Sequence, residues 1–450
     1  MVGFKNMKIK NKKNIRSVKK AVGKKKNVSK EILKKRKVIV KPVLKIKSKK
    51  IVKSISKTKP NIKVKSKTKT KLNPKSKIKL KVNLKPKVKV NNKLKIKTKK
   101  KVLIKKNKKE NPKKKGDHEL ERFVGNPIIF PAGGTYWESQ ATFNPTAFIN
   151  DGKVHVLYRA VGLNDVSTIS YASSADGYNL TGRTFKPVFI HSNFPKKESD
   201  KIFYSSGGGW NGGAEDPRVT KIDDMLYMTY TAFDGWGSVR IGLTSITLKD
   251  FLKKNWNWRN PVLISPPGQV HKNWVLFPEK IKGKYAIMHS ISPEIMIEYV
   301  KDINSFDGNT FVKSIHQDHP LWSRREKGMR GIGGAPIKTK HGWLIFYHAM
   351  EPHETHRYKL WAMLLDLKDP TKILYRSKKP ILEPDAFYEN EGHKAGVVYS
   401  CGAIVKDETL FIYYGGADMV SCVATANLDL FLKELMTSKI TKLNKGKTKK

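Results

Sequence analysis

Asp151-Gly152-Lys153-Val154-His155-Val156-Leu157-Tyr158-Arg159-Ala160 reads as a tight turn followed by an alternating strand that ends in an aromatic and a small or polar residue. The same unit returns at 223–232, 282–290, 340–349 and 406–416, at intervals of roughly 60–70 residues. That interval suits a four-stranded blade with loops. Between the copies there is little helical periodicity. Five copies of one unit in an all-β body predict a five-bladed β-propeller, which leaves only short, protected sheet edges. A sandwich does not explain the regular recurrence.

Repetition has a functional corollary. Equivalent strands end at the same level relative to the axis, and their ends carry Arg159, Thr231, His289 or Ser290, His348 and, after a short extension, Asp418. These residues should converge on one funnel, and polar groups converging in a concavity are what a ligand site requires.

Charge divides the 450 residues sharply. The chain is formally +55, but residues 1–116 alone hold 49 Lys and Arg against two acids, Glu31 and Glu110. The remainder is close to neutral, so the overall basicity does not make the body a nucleic-acid enzyme. Residues 1–116 alternate Lys with small or aliphatic residues and contain one aromatic, Phe4. A strand with a solid lysine face repels itself, so this segment is expected to be a long disordered tail. Its lysines would tether the protein electrostatically to a polyanion, or the segment has no dedicated partner. The body is expected at 117–438 as the propeller and catalytic domain, with a second basic tail at 439–450. Two cysteines, Cys401 and Cys422, suit a reducing compartment. No apolar run is long enough for a membrane span, and the reading is a cytoplasmic protein.

The chemistry centres on Gly212-Gly213-Ala214-Glu215-Asp216-Pro217-Arg218, just ahead of the second copy. Glycines ahead of the motif permit close approach, and Pro217 stiffens the corner. Two carboxylates and a guanidinium are thus aimed from adjacent positions near the funnel. Its company is Asn144, Arg159, Lys280, His348, Tyr358, Glu389 and Asp418. Carboxylates, Asn and aromatics suit a sugar; Arg, Lys and His suit an anion such as phosphate. No His or Cys pair has metal-ligand spacing, so no metal and no cofactor are expected.

Taken in order, Asn144-Pro145, Tyr158-Arg159, Glu215-Asp216-Pro217-Arg218, Phe277-Pro278-Glu279-Lys280, Gly333-Gly334-Ala335-Pro336, Tyr347-His348 and Tyr414-Gly415-Gly416-Ala417-Asp418 resemble glycoside hydrolase family 130, the β-mannoside phosphorylases and related mannosidases. The resemblance spans about 126–435. It implies Asp216 as general acid, acting through a hydroxyl of the bound mannose. It implies Asn144, Arg159, Asp418 and Glu389 as sugar-binding, and Lys280, His348 and Tyr358 as phosphate-binding, with Arg259 a further candidate.

Physical chemistry fits this division. An inverting hydrolase needs a second carboxylate to activate water. Phosphate is already an anionic nucleophile and needs cations to position it. A partly desolvated Asp216 beside Glu215 should hold its proton, unless Arg218 pairs with it. Two departures touch the anion side: His289-Ser290, where many phosphorylases carry His-Arg, and His271-Lys272-Asn273 in place of Asn-Lys-Asp. Three functions remain open: phosphorolysis of β-mannosides, hydrolysis of them, and sugar binding without catalysis.

Overall fold

The computed structural model describes residues 119–191, 212–233 and 239–444. The Lys-rich tail, its polyanion contact and the glycine-rich stretch 207–211 lie outside the described residues.

A two-residue strand, β1 (Glu121–Arg122), opens the described chain. Blade 1 follows as β2 (Ala141–Asn150), β3 (Lys153–Val161) and β4 (Ser167–Ser174). Blade 2 is β5 (Gly213–Ile222), β6 (Met225–Phe233), β7 (Val239–Thr247) and β8 (Val262–Leu263). Blade 3 is β9 (Val275–Leu276), β10 (Tyr285–Ser290) and β11 (Met296–Val300). In blade 4, β12 (Met329–Ile332) and β13 (Ile337–Thr339) share the edge of β14 (Gly342–Ala349), followed by β15 (Lys359–Leu365) and β16 (Ile373–Arg376). Blade 5 is β17 (Val398–Lys406), β18 (Thr409–Gly416) and β19 (Val420–Asn427). Pairing within each blade is antiparallel, and single parallel pairs join blades 1 and 2 (Ser167 with Gly213) and the segments ahead of β15 and β17 (Tyr358 with Val397). β1 pairs with β19, Glu121 opposite Thr425 and Arg122 opposite Ala424, so the first strand completes the last blade.

The five repeated turns link the first and second strands of the blades. In three of them both central residues have positive φ: Asp151 and Gly152 (48° and 71°), Lys282 and Gly283 (52° and 74°), Asp407 and Glu408 (48° and 62°). That is the turn whose twist matches paired strands. Period-2 patterning then sorts each second strand between two neighbours. Leu410, Ile412 and Tyr414 of β18 pack with Leu344 and Phe346 of blade 4, whereas Phe411 and Tyr413 pack with Val156 and Tyr158 of blade 1. Blade 1 meets blade 2 through Leu157, Tyr171, Met228 and Tyr230; blade 2 meets blade 3 through Leu243, Trp274 and Ile287; blade 3 meets blade 4 through Phe277, Met288, Trp343 and Ile345. Five interblade cores therefore close a ring, and both faces of each second strand are buried. Each such side chain contributes about 1.5–3 kcal/mol.

Helices are peripheral: α1 (Leu248–Leu252), α2 (Phe387–Asn390) and α3 (Leu428–Met436). Asn427 caps α3, whose Phe431, Leu432 and Leu435 join the core between blades 4 and 5. Among the described residues, no helix is long and apolar enough to cross a membrane.

Candidate active site

The inner strands run from the mouth of the ring to the repeated turns. Two of them break register at matched positions. Pairing of β2 with β3 jumps from Phe143 to Thr146, and pairing of β5 with β6 jumps from Glu215 to Arg218. The skipped pairs are Asn144-Pro145 and Asp216-Pro217. Proline has no N–H to lose at such a bulge. Asn144 and Asp216 both adopt φ of 49°, a region that Asn and Asp tolerate better than other side chains. Asp418, in the turn after β18, has φ of 52°. Three blades thus turn polar side chains towards the mouth at strained backbone positions.

Asp216 is buried. Its Oδ1 accepts from Asn144 Nδ2 at 2.8 Å and from the Arg159 guanidinium at 3.3 Å. Arg159, only 1 % exposed, also reaches Glu215 Oε1 at 3.2 Å and Ser167 Oγ at 2.9 Å, and lies 4.7 Å above the Phe143 ring. Lys272 Nζ meets the other Glu215 oxygen at 3.3 Å. Arg218 pairs with neither carboxylate. It donates to the carbonyls of Asp216 and Gly333 and to Asn273 Oδ1, each at 2.8 Å. The motif arginine is therefore a backbone strut between blades 2, 3 and 4.

Burial alone would raise the Asp216 carboxyl, but Arg159, Arg218, Lys272 and the Asn144 hydrogen bond outweigh it and hold it below the usual carboxylate value. This corrects the expectation that Asp216 keeps its proton in the free site. Asp418 behaves oppositely: burial pushes its carboxyl up to about 7, although Lys394, Arg159 and Lys272 pull it down.

Next to this cluster lies a cavity of about 260 Å³. Lys272, Arg325 and Arg330 supply its charge, and Ser290 and Ser292 its hydroxyls. Among the described lining residues there is no carboxylate. His271 and His289 also line it, and burial lowers each to about 4, so both are neutral near pH 7. Burial and the neighbouring Arg330 charge both lower the Arg325 guanidinium, as two cations without a shared anion should. A larger cavity of about 430 Å³ lies elsewhere, between β1, the 377–385 segment and α3.

The remaining sequence candidates fall in different places. Tyr358 is half-buried at the mouth, with Lys394 Nζ 4.2 Å and the Arg330 guanidinium 5.7 Å from its ring centroid. His348 is fully buried: its Nε2 accepts from the Ser400 N–H at 2.9 Å and its ring stacks on Tyr399 with centroids 4.0 Å apart. Burial, reinforced by Arg218, lowers it to about 3. The enclosed imidazole is neutral, and its Nδ1 has no hydrogen-bond partner among the described residues. Lys280 is exposed at the turn end of blade 3, its ammonium 4.7 Å from the Tyr285 ring. Arg259 is exposed and donates to Asn304 Oδ1 at 2.6 Å. Neither joins the Asp216 cluster; Lys272 is the cation that does.

Glu389 is also withdrawn from the mouth. It is 0 % exposed, paired with Arg122 at 2.7 Å, and accepts from Tyr414 Oη and from the Asp385 and Ala386 N–H groups at 2.8–2.9 Å. Every carboxylate lone pair facing a described donor is engaged in structure, leaving none for a sugar. Arg325, Arg330 and Lys394 are mouth cations that the sequence reading missed, and Lys272, noted there only within the His271-Lys272-Asn273 motif, is a fourth that was not named as a ligand.

Known proteins resemble this chain in sequence and fold. Residues 119–437 match the family model described as β-1,4-mannooligosaccharide phosphorylase. The 1,2-β-oligomannan phosphorylase of Thermoanaerobacter sp. (strain X514) is 38 % identical over 314 residues, covering 68 % of this chain and 96 % of its own. The β-1,2-mannobiose phosphorylase of Listeria innocua is 34 % identical over 280 residues, covering 61 % of this chain and 69 % of its own. The solved complex of β-1,2-mannobiose phosphorylase from Listeria innocua with β-1,2-mannobiose superposes with a TM-score of 0.53 at 27 % identity, covering 71 % of this chain and 99 % of that one. With the family model matched across all five blades, the chain belongs to glycoside hydrolase family 130.

Proposed function

We propose that this protein is a phosphorylase that cleaves β-mannosides with inorganic phosphate, inverting the anomeric centre to release mannose 1-phosphate. The catalytic unit is 117–438, phosphate is the co-substrate, and no other cofactor takes part. The relatives named for 1,2-β-oligomannan and β-1,2-mannobiose favour a β-1,2-linked substrate. The observation that carries the reading is the cavity beside Asp216. Its charge comes from Lys272, Arg325 and Arg330, and no described lining residue is a carboxylate. Hydrolysis with inversion needs a carboxylate base across the ring. Glu215, the nearest other candidate, is held by Arg159 and Lys272. A cationic cavity instead suits a nucleophile that arrives with its own charge.

In this reading Asn144, Arg159 and Asp418 hold the mannose. Asp216 delivers a proton to the glycosidic oxygen through a sugar hydroxyl. Phosphate sits against Lys272, Arg330 and Tyr358, and Arg330 stands in for the arginine absent at Ser290. Charge explains the timing. Asp216 is ionised while unbalanced cations face it. A phosphate dianion beside Lys272 and Arg330 cancels part of that field and raises the Asp216 carboxyl, so the acid becomes protonated when the nucleophile is in place. The two free, buried thiols, Cys401 and Cys422, fit action in the reducing cytoplasm.

The test is incubation of the protein with β-1,2-mannobiose, with and without phosphate. Mannose 1-phosphate formed only with phosphate is expected. Free mannose released equally without phosphate, or binding with no turnover in either condition, rejects the reading.

A further inference from the structure

Arg325 and Arg330, two of the three cations that line the cavity beside Asp216, flank one short turn. Glu326 opens that turn: its carbonyl accepts from the Met329 N–H at 3.2 Å, and Gly328 closes it with φ of 86°. Glu326 does not line the cavity. Both its carboxylate oxygens are engaged by Arg376 of β16, Oε1 at 2.6 Å and Oε2 at 2.9 Å. Arg376 is 6 % exposed and is itself anchored in blade 4, its Nε donating to Tyr347 Oη at 2.7 Å. From blade 3, Ser292 Oγ accepts the Glu326 N–H at 2.8 Å. The Glu326 charge therefore stabilises Arg376 and leaves the cavity cations without a carboxylate. Like charges in one cavity repel, so a turn that carries two of them needs a hold from outside.

That hold continues past the last helix. Ser438 Oγ donates to the Arg376 carbonyl. Leu443 packs against the core between blades 3 and 4, and the Asn444 N–H donates to Glu326 Oε2 at 3.1 Å. Residues 438–444 thus connect α3 to the turn between the two arginines. Composition alone sets 439–450 apart as a basic tail, and the family match stops at 437. The strap is a feature of this chain beyond the matched region.

We propose that Glu326 is a positioning residue for the anion, and that residues 439–444, through Glu326 and Arg376, keep Arg325 and Arg330 in the cavity they share with Lys272 and so set the affinity for phosphate. The inference rests on the reading of that cavity as the phosphate site. It adds the residues outside the cavity that maintain it.

The experiment titrates inorganic phosphate into the protein by calorimetry without sugar, and β-1,2-mannobiose separately. Removing residues 439–450 should weaken phosphate binding about threefold to tenfold, and Asn444→Pro, which deletes the N–H in the full chain, about threefold. Removing 445–450 alone should leave phosphate affinity within about twofold of wild type, which separates the strap from the charge of the lysines after it. Glu326→Gln should weaken phosphate binding at least tenfold, and removing 439–450 as well should add little, because the strap acts through Glu326. Mannobiose affinity should stay within about twofold throughout. The two strap variants decide the matter even where Glu326→Gln does not fold. A ligand-free readout is amide hydrogen exchange, which should quicken at 321–331 on removal of 439–450 and stay unchanged in β6. Unchanged exchange at 321–331 overturns the proposal, as does an equal loss of phosphate and mannobiose affinity. Wild-type phosphate binding that the strap variants leave untouched overturns this inference alone. Wild type that binds mannobiose but no phosphate rejects the cavity reading, and this inference with it.

Discussion

Asn144 and Asp216 occupy equivalent bulges in neighbouring inner strands, share φ of 49°, and are joined by a 2.8 Å hydrogen bond from Asn144 Nδ2 to Asp216 Oδ1. The contact between blades 1 and 2 is thus also the contact between a sugar-binding candidate and the candidate acid. Asp216→Asn should lower kcat/KM at least 10²-fold with an unchanged Tm. Asn144→Ala should lower it about 10-fold to 10²-fold and raise the Asp216 carboxyl, because a donor to the charged form is gone. The double variant should be no worse than Asp216→Asn alone. Additive losses in that cycle would uncouple the two residues.

The cation cavity makes a contrast that steady-state kinetics can read. Arg330→Gln should raise the KM for phosphate about 10-fold to 10²-fold and leave the KM for mannobiose nearly unchanged. Lys280→Gln and Arg259→Gln should change neither, since both side chains are exposed outside the Asp216 cluster. A phosphate defect in Lys280→Gln would reverse this assignment.

Gly415 is fixed by its neighbour. A Cβ there would lie 2.2 Å from Asn144 Oδ1 and 2.7 Å from the Asn144 nitrogen. Its backbone is ordinary, so the objection is steric alone. Gly415→Ala should displace Asn144, cost about 1–3 kcal/mol in urea denaturation and reduce kcat/KM. An unchanged Tm and kcat/KM would show that Asn144 can move freely.

Glu389 predicts a stability effect without a binding effect. Glu389→Ala leaves Arg122 uncompensated at the blade 5 seam and should cost about 3–5 kcal/mol. The KM for mannobiose in the folded fraction should stay within about twofold of wild type. A large KM change at full stability would restore the sugar-binding role that sequence alone suggests.

Four buried histidines set the acid limit of the fold. Burial lowers His155, His271 and His289 to about 4 and His348 to about 3. The unfolded chain binds protons at these sites from about pH 6.5 downward, and the native chain does not. Their contribution is complete above pH 6.5 and is lost as pH falls towards 4. Asp418, raised to about 7, acts in the opposite sense over that range, one group against four. The urea midpoint should therefore fall steadily from pH 6.5 to 4.5. A midpoint that rises over that interval would contradict the neutral, buried imidazoles.

Much of this was legible in the chain. The turns at Asp151-Gly152, Lys282-Gly283 and Asp407-Glu408 announced themselves by composition, and the alternating strands after them gave the blade count. Asn144-Pro145 and Asp216-Pro217 marked the bulges. Lys280 misled because motif order does not encode strand direction. It lies two residues before a repeated turn, and the inner strand carries everything near that turn away from the mouth. Lys272 lies before the same strand and so reaches the site. Arg325 and Arg330 follow a segment without periodicity, and their meeting with Lys272 depends on the packing of blade 4 against blade 3. Glu389 resembled a ligand because its partner, Arg122, is 267 positions away in a strand too short to show a pattern.

That strand has a practical corollary. β1 lays two residues along β19 and is pinned by Arg122 to Glu389, and Phe123, Asn126 and Ile129 continue the attachment to the same strand. Shortening the chain from its front end is therefore a choice between two very different molecules. Trimming that stops at residue 118 keeps the fastener, whereas trimming four residues further strips the outer edge of blade 5 and unseats the carboxylate behind it. The boundary for a minimal catalytic fragment is set by this clasp, not by where the lysines end.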